Sequence, residues 1–365
     1  MNPVSVRIMH PAADPGAGPL ERWVATARAG IARRHEAGFR SIGADDVAIV
    51  IGPAGAIPFG ARLRELVDAR RAGGLVVLGS GAIPLATRSD REAFVAAAGA
   101  GDRRALANNR YSADTVAIAC VEALPAIPDL PADNAVPRWL AEVAGYRVDD
   151  LRSRWRLAID VDSPLDLVLL GQGGGAPVDL ATVEDRLARV RAVAADHRAE
   201  LVLAGRTSAA TLAWVERRAA ARARAWIEER GLRAASRLAQ GARGTGGDGE
   251  NAGQRSPASL LGALLERDGP GPLGGLLARF GDAAIVDTRV LLAHRLGADE
   301  TAWPVAEDRF ASDLLLPEAV RDPWLRGLTA SAVGAPIPIL LGGHSLVGPG
   351  VRLVVGRPLR VRPWT

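Results

Sequence analysis

The sequence predicts an α/β fold built on a mostly parallel sheet, on three observations. Short apolar stretches bounded by Gly and Pro alternate with segments whose apolar residues recur at helical spacing. The apolar stretches, such as 74–78 (GLVVL) and 115–120 (TVAIAC), are short, as strands between helices are. The chain has 365 residues, 48% of them hydrophobic and 24% charged, a composition that fits about two globular domains.

The elements follow in chain order. Residues 4–9 (VSVRIM) read as a strand, followed by a loop rich in Pro and Gly. Leu20 to Phe39 has helical apolar spacing, 46–51 (DVAIVI) is a strand, and 61–72 is a helix. After the strand at 74–78, Ser89-Asp90-Arg91-Glu92 opens a helix with Ser or Asp as its cap and acids in its first turn. The strand at 115–120 precedes a helix at 137–144, and 158–161 reads as a strand end. The Gly-rich stretch 171–177 (GQGGGAP) is a domain boundary, which gives a first domain at 1–171 and a second at 177–365, of α/β or α+β class and without assignment. The second half reads as a helix at 182–196, a strand at 200–204 and a long arginine-rich helix at 208–239. A flexible polar loop at 240–257 follows, then strands at 283–287, 337–341 and 352–355.

Composition removes whole classes of chemistry. All 45 basic residues are arginine, so a P-loop lysine, a Schiff-base lysine and a pyridoxal-phosphate lysine are excluded. Arginine keeps its charge past about pH 12, so an alkaline isoelectric point beside a net charge of +4 does not indicate nucleic acid, and no block of basic residues occurs. A single cysteine excludes an internal disulfide and a cysteine-rich zinc site. No membrane span and no secretory signal are read, so a cytoplasmic protein is expected. The five histidines lack metal-binding spacing.

Several motifs carry candidate chemistry. In Asp160-Val161-Asp162-Ser163-Pro164-Leu165-Asp166, two carboxylates two positions apart on extended chain share a side and can hold Mg²⁺ beside phosphates. The same residues also read as a helix cap, with Asp162 or Ser163 capping, Pro164 at the first helical position and Asp166 on the dipole. Gly79-Ser80-Gly81 after a strand allows close backbone approach to a ligand, or a tight turn. Asn108, Asn109 and Arg110 open a polar loop with donors and acceptors for a base edge or a sugar. Gly205-Arg206-Thr207-Ser208 suits a phosphate or carboxylate at a helix start, or ordinary capping by Thr207 or Ser208. Glu307 to Asp313 reads as a solvated, arginine-paired face. Gly342-Gly343-His344-Ser345 fails as a nucleophile elbow, because Val347 replaces the final glycine and no histidine follows.

Residues 156–167 (RLAIDVDSPLDL) resemble the Asp-(Ile/Val)-Asp-Thr-Pro-Glu-Asp-Leu element of nucleotidyltransferases of the phospholactate guanylyltransferase type, relatives of the molybdenum-cofactor guanylyltransferases. Residues 133–148, Asn108-Asn109 and 75–85 (LVVLGSGAIPL) resemble further elements of that family in the same order. The resemblance covers about 1–170 and implies a Rossmann-like sheet and Mg²⁺-dependent transfer from a nucleoside triphosphate to a small phosphorylated or hydroxylated acceptor. It implies metal at Asp160 and Asp162, nucleotide at Gly79, Ser80, Gly81, Asn108 and Asn109, and phosphate at Arg22 or Arg110. Two departures stand out. The family's aspartate before x-Pro-Leu falls on Ala82, and the N-terminal loop lacks its Arg and Lys. The alternative is a non-catalytic protein that binds a nucleotide or a sugar phosphate on the same fold.

Overall fold

A computed structural model describes residues 2–52, 57–68, 73–130, 133–228 and 258–356. These form two compact units. One comprises residues up to 17 together with 24–162; the other comprises 18–23 and the described residues from 163 onward. The division thus falls between Asp162 and Ser163, ahead of the expected boundary at 171.

The first unit holds a six-stranded sheet, with strands β1 (Val4–Pro11), β2 (Asp46–Gly52), β3 (Gly74–Gly79), β4 (Arg104–Ala107), β5 (Thr115–Ala119) and β6 (Arg147–Asp150) in the order β2-β1-β3-β5-β4-β6. β1 pairs in parallel with β2 and β3, and β4 with β6, while β5 lies antiparallel between β3 and β4. Five strands therefore run one way and β5 alone runs against them. Both faces are covered, which explains the unbroken apolar runs. Val4, Val6, Ile8, Val76 and Leu78 pack on one face with Phe39 and Phe94 from helices Pro19–Arg40 and Arg88–Ala98. Met9, Leu75, Val77, Val116 and Ile118 face the other way, toward Leu63 and Leu140 of helices Phe59–Asp68 and Val136–Glu142.

The second unit is also α/β. Its strands β7 (Glu200–Gly205), β8 (Arg222–Ile227), β9 (Ala283–Asp287) and β10 (Ile339–Gly342) form an all-parallel sheet ordered β10-β9-β7-β8. Strand cores such as 201–204 and 284–286 are wholly buried.

Several expectations are corrected. The long arginine-rich helix ends at Arg218, and residues 222–227 (RARAWI) turn back into β8 at the sheet edge, where arginine side chains alternate outward. Residues beyond 228 of that expected helix, and the expected loop at 240–257, lie outside the described residues. Residues 351–355 are helical, not a strand. The strand end expected at 158–161 is a single antiparallel bridge between Asp160 and Ala82. Thr87, not Ser89 or Asp90, caps helix Arg88–Ala98. The expected solvated face at 307–313 is largely buried: Asp308, Ser312 and Asp313 are each at most 2% exposed. Asp308 accepts the backbone N–H groups of Arg321 and Asp322, and Glu307 accepts those of Leu20 and Glu21. Among the described residues no helix is long and apolar enough to cross a membrane.

Candidate functional site

In the first unit, β1, β3, β4 and β6 present their carboxyl ends at one edge, and the loop from β4 to β5 lies there too. This is where open α/β sheets place ligands. Three chain segments meet at this edge: the end of β1, the turn 79–82, and 160–162.

Gly79 ends β3, and its N–H donates to the Asp114 carbonyl at 3.2 Å. Ser80 is buried; its N–H donates to the Met9 carbonyl at 2.8 Å, and its Oγ lies 3.0 Å from Nδ1 of His10. Burial, then the charges of Arg28 and Arg33, lower the His10 pKa, so its imidazole is neutral near pH 7.

Gly81 permits the closest approach. Val161 N–H donates to its carbonyl at 3.1 Å, next to the Asp160–Ala82 bridge. A Cβ on Gly81 would stand 2.8 Å from the Val161 carbonyl oxygen, 2.9 Å from Asp160 Oδ1 and 3.1 Å from Arg28 Nε. The Asp160 carboxylate thus lies against the glycine turn, in space a side chain would otherwise take. Its Oδ1 also accepts the Val161 N–H at 2.8 Å.

Asp162 is about half exposed and pairs with Arg28, whose Nη2 donates to Oδ1 at 2.8 Å while Nε donates to the Val161 carbonyl at 2.6 Å. The capping chemistry of this segment falls one residue later. Ser163 caps helix Pro164–Leu169 in a box with Asp166, with Pro164 in its first turn. Ser163 N–H and Oγ both donate to Asp166 Oδ2, at 2.8 and 3.0 Å. The two readings of 160–166 therefore describe different residues: Ser163, Pro164 and Asp166 cap, and the cap makes no use of Asp160 and Asp162.

The polar loop divides likewise. Asn108 is buried; its Oδ1 accepts the N–H groups of Asp114 and Thr115, and its Nδ2 donates to Asp114 Oδ2 and the Leu157 carbonyl. Its amide is spent on holding the loop. Asn109 Oδ1 accepts the Tyr111 N–H, and the guanidinium of Arg110 lies 5.6 Å from the Tyr111 ring centre. Arg22 is exposed and groups with the second unit.

The sequence reading missed four residues at this edge. Arg28 binds the 160s segment and His10 binds Ser80. Tyr111, 70% exposed, has Arg110 and Arg152 over its ring. Asp114 lines a small cavity of about 60 Å³ with Met9, Gly79, Leu63 and Asp133. Burial, then the charge of Asp133, raises its carboxyl to about 7, against the opposing hydrogen bond from Asn108. Tyr111 and Asp114 carried a signal, as members of the polar loop that Asn108 opens.

The donor set suits a hard cation. Two carboxylates supply oxygen ligands, and Mg²⁺ is commonly held by one or two carboxylates with phosphate oxygens and water completing the shell. The shell would need those further ligands, since among the described residues no group of three or more His, Cys, Asp or Glu could hold a metal ion. No protein-family model and no curated protein matches the chain.

Proposed function

We propose that the first unit catalyses Mg²⁺-dependent nucleotidyl transfer from a nucleoside triphosphate to a small phosphorylated or hydroxylated acceptor, in the cytoplasm and on a Rossmann-like sheet. The observation that carries this reading is the seating of the Asp160 carboxylate against Gly81, at the carboxyl edge of β1 and β3. An acceptor oxygen bonds to the α-phosphorus as the bond to pyrophosphate breaks, and the acceptor's proton leaves to solvent. Bound Mg²⁺ would neutralise charge on the phosphates. Asp160 and Asp162 would hold it; Gly79, Ser80 and Gly81 would admit the nucleotide; Arg110 would supply the cationic donor that lysine provides elsewhere.

A second reading, a non-catalytic site for a nucleotide or sugar phosphate, is favoured by two observations. Arg28 already neutralises Asp162, and Ala82 supplies no further carboxylate. Pyrophosphate release measured across the four triphosphates, with and without Mg²⁺, separates the two. The first reading expects Mg²⁺-dependent release that Asp160→Ala abolishes, at a stability cost of about 1 kcal/mol for the lost bond to Val161 N–H. Silence with every triphosphate, together with thermal stabilisation by one nucleotide without Mg²⁺, establishes the second.

A further inference from the structure

The second unit has a carboxyl edge of its own, and its strand order places a topological switch point there. From β7 the chain continues to β8 on one side, and from β9 it continues to β10 on the other. Adjacent parallel strands whose continuations leave in opposite directions open a crevice outside their carboxyl ends. Gly205 to Ser208 follow β7, Asp287 to Arg289 end β9, and Gly343 to Ser345 follow β10. The strand ends are pressed together. Gly205 has φ +142°, and a Cβ there would lie 2.2 Å from that of Asp287. Only glycine fits.

Two buried ion pairs fix the arginines of this edge. Arg206 donates from Nε and Nη2 to Asp287 at 2.6 and 3.1 Å, and Arg289 donates from Nη1 and Nη2 to Asp313 at 2.7 and 2.6 Å. Both carboxylates are fully buried, while each arginine side chain keeps 12% exposure. Arg289 also donates to Thr288 Oγ1, which donates to the Gly342 carbonyl and so ties β9 to β10.

Against this saturated frame, two hydroxyls stand out. Thr207 Oγ1, on a fully buried residue, and Ser345 Oγ, on a residue 4% exposed, have no hydrogen-bond partner. Capping does not explain Thr207, because Ser208 caps helix Ala209–Arg218 by accepting the Thr211 N–H at 3.0 Å. Hydroxyls shut from water without a partner are rare and costly, and call for an explanation. Thr207 follows Arg206 in the segment after β7, and Ser345 follows His344 in the short helix His344–Val347 after β10.

We propose that this edge binds the phosphate group of a small phosphorylated molecule. The Thr207 and Ser345 hydroxyls, the guanidinium of Arg206 and the start of helix Ala209–Arg218 are its donors. Asp287 and Asp313 hold the two arginines in place without cancelling their directed N–H groups. The site belongs to the second unit alone and does not rest on nucleotidyl transfer in the first.

The test uses the whole chain, with inorganic phosphate and glycerol phosphate as probes. Titration calorimetry and thermal shift are read at constant ionic strength, with chloride as control. Thr207→Val and Ser345→Ala each remove a hydroxyl that bonds to nothing, so both variants fold with melting points at or above the parent's. Each should weaken phosphate binding by about tenfold, and the pair by more. Asp160→Ala, in the first unit, should leave this binding unchanged. The proposal is overturned if the parent takes up neither probe or if the double variant binds as the parent does. Loss of binding in Asp160→Ala alone, which would place the phosphate in the first unit, overturns it too.

Discussion

Gly81 shows how one residue sets the geometry of the candidate site. Its missing side chain lets the turn after β3 and the 160s segment touch, with the Val161 carbonyl, Asp160 and Arg28 all inside the reach of a Cβ. Two of those neighbours are side chains that can give way; the Val161 carbonyl is backbone and cannot without shifting the segment. Gly81→Ala is therefore expected to cost about 1–3 kcal/mol by overpacking. It should also displace Asp160 and weaken any nucleotide binding at this edge. Gly101, whose Cβ would meet nothing within 4 Å, is the control. Urea denaturation of both alanine variants checks this, and equal midpoints would sink the argument. Arg28 acts at the same scale but from afar, reaching from helix Pro19–Arg40 to residues more than 130 positions later. Its pair with Asp162 is partly exposed, so its worth lies in position more than in stability.

At the scale of elements, two helices begin with the same device and put it to different use. Ser163 and Asp166 close the start of helix Pro164–Leu169 and do little else. Thr87 and Asp90 close the start of helix Arg88–Ala98, but the fully buried Asp90 carboxylate also receives Arg154 at 2.7 Å and Arg156 at 2.8 Å. It therefore anchors the turn that leads into Asp160. Burial acts to raise its pKa, yet the hydrogen bonds from Thr87 and the two arginines prevail and hold it at about 2. Ser163→Ala should cost about 1 kcal/mol. Asp90→Ala should cost about 3 kcal/mol, a figure reduced because both arginines are about a third exposed. Denaturant midpoints that rank the two the other way would refute this. Elements of this kind were only partly legible in the sequence. β1, β3 and β5 announce themselves because sheet and helices bury both their faces. β4 (RALA) and β6 (RVDD) are four residues each and carry charge, so nothing local marks them; pairing with neighbouring strands supplies the reason to extend. In 222–227 the Arg-Ala alternation has the period of a strand, but arginine and alanine also favour helix, and the edge of the sheet decides. Residues 351–355 are too short for their apolar run to choose between strand and helix. At the site, spacing singled out Asp160 and Asp162, but in a helix rich in arginine no local pattern distinguishes Arg28 from its neighbours.

For the molecule as a whole, two buried groups of the first unit oppose each other in the way they make stability depend on pH. His35 is buried, with Nε2–H donating to the Ala82 carbonyl at 2.8 Å and Nδ1 unpartnered. Burial, then the charges of Arg91 and Arg34, push its pKa from 6.5 to about 3. Between these values the unfolded chain binds a proton that the fold refuses, so this term makes stability rise with pH. Asp114 does the reverse. Its carboxyl is raised from 3.8 to about 7, so between those values the fold keeps a proton that the unfolded chain releases, and stability falls as pH rises. Each fully expressed one-proton difference is worth about 1.4 kcal/mol per pH unit, with opposite sign. The two slopes cancel between about pH 4 and 6.5, where the windows overlap. Removing either group should uncover the other. Asp114→Asn, with no proton to keep, should show stability climbing with pH relative to the parent across that window. His35→Gln, which retains an N–H for Ala82, should show it falling. Urea midpoints taken every half unit through the window read both differences. Parallel curves for parent and Asp114→Asn would mean that the Asp114 carboxyl is ionised in the fold, so that the cavity beside β3 holds a charge throughout this window.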